Sequence, residues 1–146
     1  MNNLLASFFV VILLSPLPVS AVPLVGTFSG GWEEPAIGFY GGFVEMQITS
    51  QTLTDSNLDL YNMEGFFDWD CRIINYVCGG RSLFRGTLTG STLELVGYQL
   101  IDSTFDLGIY SASVAQDGNR IAGIFNCQNG PCPGTWAVQR VPEPGT

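Results

Sequence analysis

The stretch Phe43-Val44-Glu45-Met46-Gln47-Ile48-Thr49 alternates apolar and polar side chains, and this alternation decides the predicted fold. Successive side chains of a β-strand point to opposite faces of the sheet. Val44, Met46 and Ile48 would therefore share a buried face, while Glu45, Gln47 and Thr49 would face solvent. No segment after residue 21 shows a sustained helical period, so the sequence predicts strands rather than helices.

The same period of two recurs along the chain, and turn-forming sequences separate most of its occurrences. It is found in Asp55–Leu60, Thr92–Tyr98, Thr104–Ile109 and Thr135–Gln139. Three short sequences between such segments suit the positive φ of tight hairpins: Thr89-Gly90-Ser91, Asp117-Gly118-Asn119 and Asn129-Gly130. Short strands at this spacing predict an antiparallel meander.

The predicted fold class is all-β, with one domain over residues 22–140. This length holds about eight strands with their turns, and 18 glycines suit bulges, bends and tight turns. We favour a single antiparallel up-and-down barrel, because closure removes the exposed edges of a sheet. A two-sheet β-sandwich is the alternative.

Charge composition excludes several classes of function. The chain of 146 residues has 13 acidic residues, five arginines and neither lysine nor histidine, which gives a net charge of −8. Triads and metal sites that use histidine are excluded, and so are Schiff bases and phosphate-loop lysines. A nucleic-acid partner is disfavoured because phosphate binding needs a cationic surface. No serine lies in a G-x-S-x-G motif, and we predict no catalytic residue, no metal site and no cofactor.

Residues 1–21 are predicted to be a secretory signal peptide. Leu4–Leu14 is almost wholly apolar, Pro16 and Pro18 follow it, and Val19-Ser20-Ala21 fits the small-residue cleavage pattern. The apolar run is too short to span a bilayer, which needs about 20 residues. Export to a secreted or cell-surface location is therefore expected.

The four cysteines are expected to form disulfides, because an exported protein meets an oxidising compartment. They are Cys71, Cys78, Cys127 and Cys132. Three pairings are possible from sequence alone. We favour the local pairs Cys71–Cys78 and Cys127–Cys132, since each flanks a loop-like stretch. Each closed loop would contribute roughly 2–2.5 kcal/mol on the chain-entropy model.

Two short segments, Gly30-Gly31-Trp32 and Gly134–Arg140, resemble the pattern of lipocalin-like barrels. In that family an early G-x-W strand pairs with a late strand that carries an arginine. The resemblance implies that Arg140 packs across Trp32 as a cation–π contact. It also implies, as an alternative function, a secreted barrel with a small apolar ligand in its interior.

The chain ends in Val141-Pro142-Glu143-Pro144-Gly145-Thr146, which resembles the opening of the PEP-CTERM sorting signal. Pro142, Glu143 and Pro144 match the core of that motif. In the family, an apolar membrane-spanning stretch and an arginine-rich end follow, and a membrane-bound exosortase processes the signal. The resemblance implies a protein of a Gram-negative bacterium that is exported through the periplasm, with an exosortase-type enzyme as partner.

This tail lacks the later parts of the family's signal. The apolar segment and the basic cluster are missing after Thr146. Two expectations follow: the sequence is truncated at this point, or the protein has lost its anchor.

Acidic and aromatic residues are densest in Glu64–Cys71, where Asp68, Trp69 and Asp70 are the candidate ligand-binding residues. An exposed tryptophan beside carboxylates can stack on a sugar ring and bind its hydroxyl groups, so a polysaccharide is a possible partner. The alternative is a loop held by a disulfide at Cys71, with its aromatic residues anchored in the core. Asp55, Asn57 and Asp59 begin like a calcium loop, but Leu60 and Phe66 stand where such a loop needs Gly and Glu.

Together these features predict an exported, non-catalytic β-domain of the bacterial envelope or extracellular matrix, sorted by a PEP-CTERM-type route. The alternative is a secreted lipocalin-like or carbohydrate-binding module. The size of the barrel interior discriminates between them, because pockets for small ligands measure about 300–1,000 Å³.

Overall fold

Eight antiparallel strands form the protein in a computed structural model, which describes residues 21–73 and 76–145 and, within residues 71–78, no side chains. The predicted signal peptide lies outside the described residues, apart from Ala21. A short 3₁₀ turn, Pro35–Ile37, follows the first strand. The strands are β1 Gly26–Glu34, β2 Phe39–Asp55, β3 Leu60–Ile73, β4 Tyr76–Thr89, β5 Thr92–Ile101, β6 Gly108–Val114, β7 Arg120–Cys127 and β8 Gly130–Arg140.

The strands close into an up-and-down barrel. Each strand pairs with the next one in sequence, and β1 also pairs with β8, with Phe28 opposite Arg140 and Trp32 opposite Trp136. Closure pairs the outer edges of the first and last strands, which in an open sheet would be exposed. The predicted all-β fold and the preferred barrel topology are confirmed, and the sandwich alternative is wrong.

The barrel has two different ends. At the terminus end, β1 begins, β8 ends, and the turns over residues 56–59, 90–91 and 115–119 connect the other strands. At the loop end lie the 3₁₀ turn, residues 102–107 and residues 128–129. The chain therefore enters and leaves the barrel at the same end.

Period-two alternation correctly predicted the inward face of several strands. Val44, Met46 and Ile48 of β2 are fully buried, and Leu93 and Leu95 of β5 are buried as well. Positive φ angles of 58° at Gly90 and 70° at Gly118 confirm two of the predicted turns.

The alternation was misleading over Asp55–Leu60, which is not a strand. Residues 56–59 form the turn between β2 and β3, and the Asp55 side chain accepts a hydrogen bond from the N–H of Asn57 at 2.8 Å. Asp59 has a φ of 50°. Asp and Asn stabilise turns through such local bonds, so here alternating polarity accompanied turn formation.

Aromatic rings fill the interior of the barrel. Phe67 is fully buried at the centre, with ring centroids 4.7 Å from Tyr110, 4.8 Å from Phe84 and 5.0 Å from Trp69. Such tilted arrangements are the favoured geometry for aromatic pairs. The interior is a packed core rather than an open calyx.

Inward-facing glycines make room for these rings on the neighbouring strands. Trp32 lies opposite Gly42, and a Cβ added at Gly42 would be 2.2 Å from the indole nitrogen. Phe84 lies opposite Gly65, where a Cβ would be 2.6 Å from the ring. Each ring thus covers the backbone of a glycine across the strand pair, a known device for pinning strand register.

The segment before β1 closes the terminus end. Leu24 is fully buried in the core. The Gln51 side chain accepts a hydrogen bond from the N–H of Leu24 at 2.6 Å and donates one to the carbonyl of Val22 at 3.3 Å. The N–H of Ala21 donates to the carboxylate of Asp59 at 3.1 Å. These bonds hold the segment across the opening.

Arg140 fastens the same segment from the last strand. Its guanidinium lies 4.6 Å from the ring centroid of Phe28 and donates to the carbonyls of Pro23 at 2.8 Å and Val25 at 3.1 Å. The expected contact with Trp32 is therefore wrong: the register places Arg140 opposite Phe28, four residues away. The arrangement implied by the lipocalin resemblance is not formed.

Truncation of Leu24 should open the terminus end. We expect Leu24→Ala to lower the free energy of unfolding by about 2–4 kcal/mol, because it removes buried methyl groups and leaves a cavity. Urea denaturation monitored by tryptophan fluorescence measures this loss. Val25→Ala is the matched control, since Val25 is 52% exposed and should change stability by less than about 0.5 kcal/mol. Equal losses in both variants would contradict the closing role of Leu24.

Candidate functional site

The predicted ligand-binding residues of β3 do not share one face. Trp69 points into the barrel and is 9% exposed, whereas Asp68 and Asp70 lie on the outer face of the same strand. Neighbouring strand residues must alternate in this way. The structure therefore does not bring the indole and the two carboxylates together as one sugar-binding surface.

Asp68 has a structural partner on the outer face. The Arg81 side chain forms a bidentate hydrogen-bonded ion pair with it, at 2.7 and 2.8 Å, from the position directly opposite on β4. The same guanidinium lies 3.9 Å from the ring centroid of Phe66. Because both charged side chains are well exposed, the pair contributes modestly to stability.

A small cavity at the loop end is the best candidate for a functional site, and we call it the aromatic cleft. Its volume is about 50 Å³, and it opens to solvent. Aromatic rings from β1, β3, β6, β7 and the segment before β6 form most of its walls, and two carboxylates and an amide complete it. Its lining includes the side chains of Trp32, Glu34, Trp69, Phe105, Asp106, Tyr110, Phe125 and Asn126.

Residues 102–107 bring Phe105 and Asp106 to the cleft from outside the strands. Our prediction of a strand over Thr104–Ile109 is wrong: β6 begins at Gly108, and Ile109 faces solvent. The N–H of Thr104 donates to the carbonyl of Gly79 at 3.0 Å, which attaches the segment to β4. The Phe105 ring then packs edge-on against Trp32, with centroids 5.4 Å apart.

The disulfide Cys127–Cys132 borders the cleft and confirms one of the predicted local pairs. It spans the turn between β7 and β8. The side-chain oxygen of Asn126 accepts hydrogen bonds from the N–H groups of Cys127 at 3.0 Å and Cys132 at 2.9 Å. This hairpin end is therefore held both covalently and by hydrogen bonds.

The other predicted pair lies in a hairpin whose side chains are outside the described residues. The backbone register of β3 and β4 places Cys71 directly opposite Cys78. The disulfide between them stays a prediction.

The surroundings of Glu34 in the cleft shift the pKa of its carboxyl group. It ends β1 immediately after a register irregularity between Trp32 and Glu34. Partial burial raises the pKa of Glu34 above its usual value, because desolvation disfavours the charged form. A cation close to Glu34 would stabilise the charged form of its carboxylate.

A buried polar group lies among the rings. Ser82, 2% exposed, accepts a hydrogen bond from the indole N–H of Trp69 at 3.4 Å. Burial raises the pKa of Tyr110 to about 12, and its hydrogen bond with Ser82 offsets part of this effect. The Tyr110 phenol is therefore neutral at physiological pH.

Among the side chains that the structure describes, neither the calcium-like sequence nor any other group forms a metal site. One carboxylate oxygen of Asp55 accepts a hydrogen bond from the N–H of Asn57, and one of Asp59 accepts a hydrogen bond from the N–H of Ala21. Over residues 21–70 and 79–145, no three acidic or cysteine side chains form a group that could hold a metal ion. Nor does any helix in these ranges have the length and apolar character needed to cross a bilayer.

Most of the cleft was missed at the level of sequence. The sequence singles out Trp32 only through its G-x-W pattern, and it allows Trp69 either a place in a surface sugar site or a place in the core. Glu34, Tyr110 and Phe125 carried no motif, because their proximity depends on which strands pair and on closure of the barrel. The excess of aromatic residues was the one available signal.

Comparison with known proteins adds no family to this description. No protein-family model matches the chain, and no curated protein matches it significantly.

The raised pKa of Tyr110 predicts a loss of stability in strong alkali. The phenol titrates at about 12 in the folded protein, against a reference value of 10.0. Its contribution is fully present below about pH 10 and is lost as the pH rises to about 12, because the unfolded chain loses the proton first; the limit is about 3 kcal/mol. Urea denaturation across this pH range measures the slope, and Tyr110→Phe should flatten it. An equal slope in both proteins would contradict the prediction.

Removing the disulfide should destabilise the loop end. We expect Cys127→Ala combined with Cys132→Ala to lower the free energy of unfolding by about 2 kcal/mol, because the unfolded chain gains loop entropy. Thermal and urea denaturation of the double variant and the parent under oxidising conditions measure the difference. The Asn126→Ala variant keeps the covalent link and serves as a comparison for the hydrogen bonds alone. An unchanged stability of the double variant would refute this contribution.

Proposed function

We propose that the chain is an exported, non-catalytic barrel protein of the bacterial envelope or extracellular matrix, sorted by a PEP-CTERM-type route. The main observation in favour of this proposal is that the Val141–Gly145 tail directly follows β8, the last strand of the barrel. The N–H of Val141 donates to the carbonyl of Thr27 at 2.9 Å, which completes the pairing of β8 with β1. Pro142, Glu143 and Pro144 follow and are exposed. A processing enzyme could reach the motif without opening the barrel.

The path of the chain supports attachment at one end. Residue 21 and the tail both lie at the terminus end, because β1 and β8 are antiparallel neighbours at the seam of the barrel. A membrane-spanning segment beyond residue 146 would hold this end toward the membrane. The loop end, with the disulfide and the aromatic cleft, would then point outward.

The packed centre of the barrel and the small cavity at its loop end favour this proposal over a carrier that holds its ligand deep in the barrel. The aromatic cleft measures about 50 Å³, far below the roughly 300–1,000 Å³ of pockets that enclose small organic ligands. Phe67 and its neighbouring rings fill the central space in which a carrier would hold its ligand. A surface site for sugars would need Asp68, Trp69 and Asp70 on one face of the sheet, and Trp69 lies on the opposite face from the two carboxylates.

The sorting proposal predicts both a gene sequence and a processing event. The reading frame beyond codon 146 should encode an apolar stretch followed by arginines. In a host that makes an exosortase, mass spectrometry of the protein from the complete reading frame should show that this end has been removed. We expect Glu143→Ala to remain unprocessed, because the motif's carboxylate is lost.

Glu33→Ala is the control, since it removes the same kind of exposed charge from the barrel wall and should be processed normally. A stop codon directly after codon 146, or normal processing of Glu143→Ala, would contradict the proposed route.

A further inference from the structure

The size of the aromatic cleft limits what can enter it. A volume of about 50 Å³ has room for only a few water molecules. A sugar ring is too large for this space. An ammonium group with an adjoining methylene group has the appropriate size.

The walls of the cleft favour a cation. Trp32, Trp69 and Tyr110 are in the lining, and the face of an aromatic ring attracts a cation within about 6 Å of its centre. Glu34 and Asp106 add carboxylates to the lining. Of the lining residues that the structure describes, none is cationic, so nothing in the lining neutralises them.

At three other rings of the protein, an arginine of the same chain lies over the ring. Arg81 lies over Phe66 at 3.9 Å, Arg140 lies over Phe28 at 4.6 Å, and a third arginine lies over Tyr98. These arginines are on the outer wall or at the terminus end. The cleft combines more rings with carboxylates, and no arginine whose side chain the structure describes lies in its lining.

We propose that the aromatic cleft binds the alkylammonium group of an organic amine. The ammonium enters between the rings and lies against the Glu34 carboxylate, and Asp106 supplies a second carboxylate of the lining. The amine's carbon chain extends through the opening toward solvent. This function goes beyond the sorting proposal and does not depend on it, because it uses only side chains at the loop end.

Neighbouring acidic residues of β1 provide a matched pair for the test. Glu34 lines the cleft, while Glu33 is exposed on the outer wall opposite Thr135 of β8. Replacement of either by glutamine removes one charge and preserves the shape of the side chain. Only the change at Glu34 should affect an ammonium in the cleft.

Titration of the folded full-length chain with butylammonium chloride, followed by tryptophan fluorescence at constant ionic strength, tests the proposal. We expect saturable binding with a dissociation constant on the order of millimolar, given the small number of ligand atoms. Glu34→Gln should weaken binding at least about fivefold, and Glu33→Gln should leave it unchanged. Butan-1-ol, which has the same chain without the charge, should bind much more weakly.

Three outcomes would overturn the proposal. The first is the absence of saturable binding up to about 0.1 M amine, where ionic screening is already substantial. The second is equal binding of butan-1-ol, which would show an apolar crevice without preference for cations. The third is equal weakening by both glutamine variants, which would show a general effect of net charge. Unfolding midpoints of the variants confirm that each remains folded in the titration.

Discussion

The packing of aromatic rings against inward-facing glycines is the constraint on which the rest of the structure depends. Eight strands enclose a narrow interior, and rings as large as Trp32 and Phe84 fit because Gly42 and Gly65 lie opposite them. A side chain at either glycine would occupy the space of the ring. This complementarity fixes the register of the strands, because a shift by one residue would move every ring to the outer face. It also fills the space in which another barrel could hold a ligand.

The two ends of the barrel follow from this packed centre and differ in chemistry. At the terminus end, Leu24 covers the core and Arg140 binds the carbonyls of the segment that carries it. At the loop end, the rings continue past the last well-packed layer to a small cleft with Glu34 in its lining. Attachment and processing suit the first end, and recognition of a small group suits the second. The two proposed roles are thus separated along the axis of the barrel.

Much of the fold could be predicted from sequence, because it rests on local patterns. Alternation identified the buried faces of β2 and β5, and glycine-containing turns identified hairpin ends at Gly90 and Gly118. The same alternation failed over Asp55–Leu60, where local side-chain hydrogen bonds made a turn instead. The cleft could not be predicted in this way. Phe105 reaches it from an irregular segment, and that segment is held by contacts with a distant strand.

The sequence by itself determined the strand class, the main turns and the inward faces of several strands, and it favoured the local pairing of Cys127 with Cys132. These properties depend on neighbours within a few residues, where stereochemistry and loop entropy decide the outcome. Only the tertiary structure decided that β1 meets β8, that Arg140 covers Phe28 rather than Trp32, and that Glu34 lines a cleft while Glu33 faces solvent. These properties depend on register and closure between residues far apart in the chain. A pattern of period two assigns a side chain to a face of the sheet, but it does not specify what lies across from it.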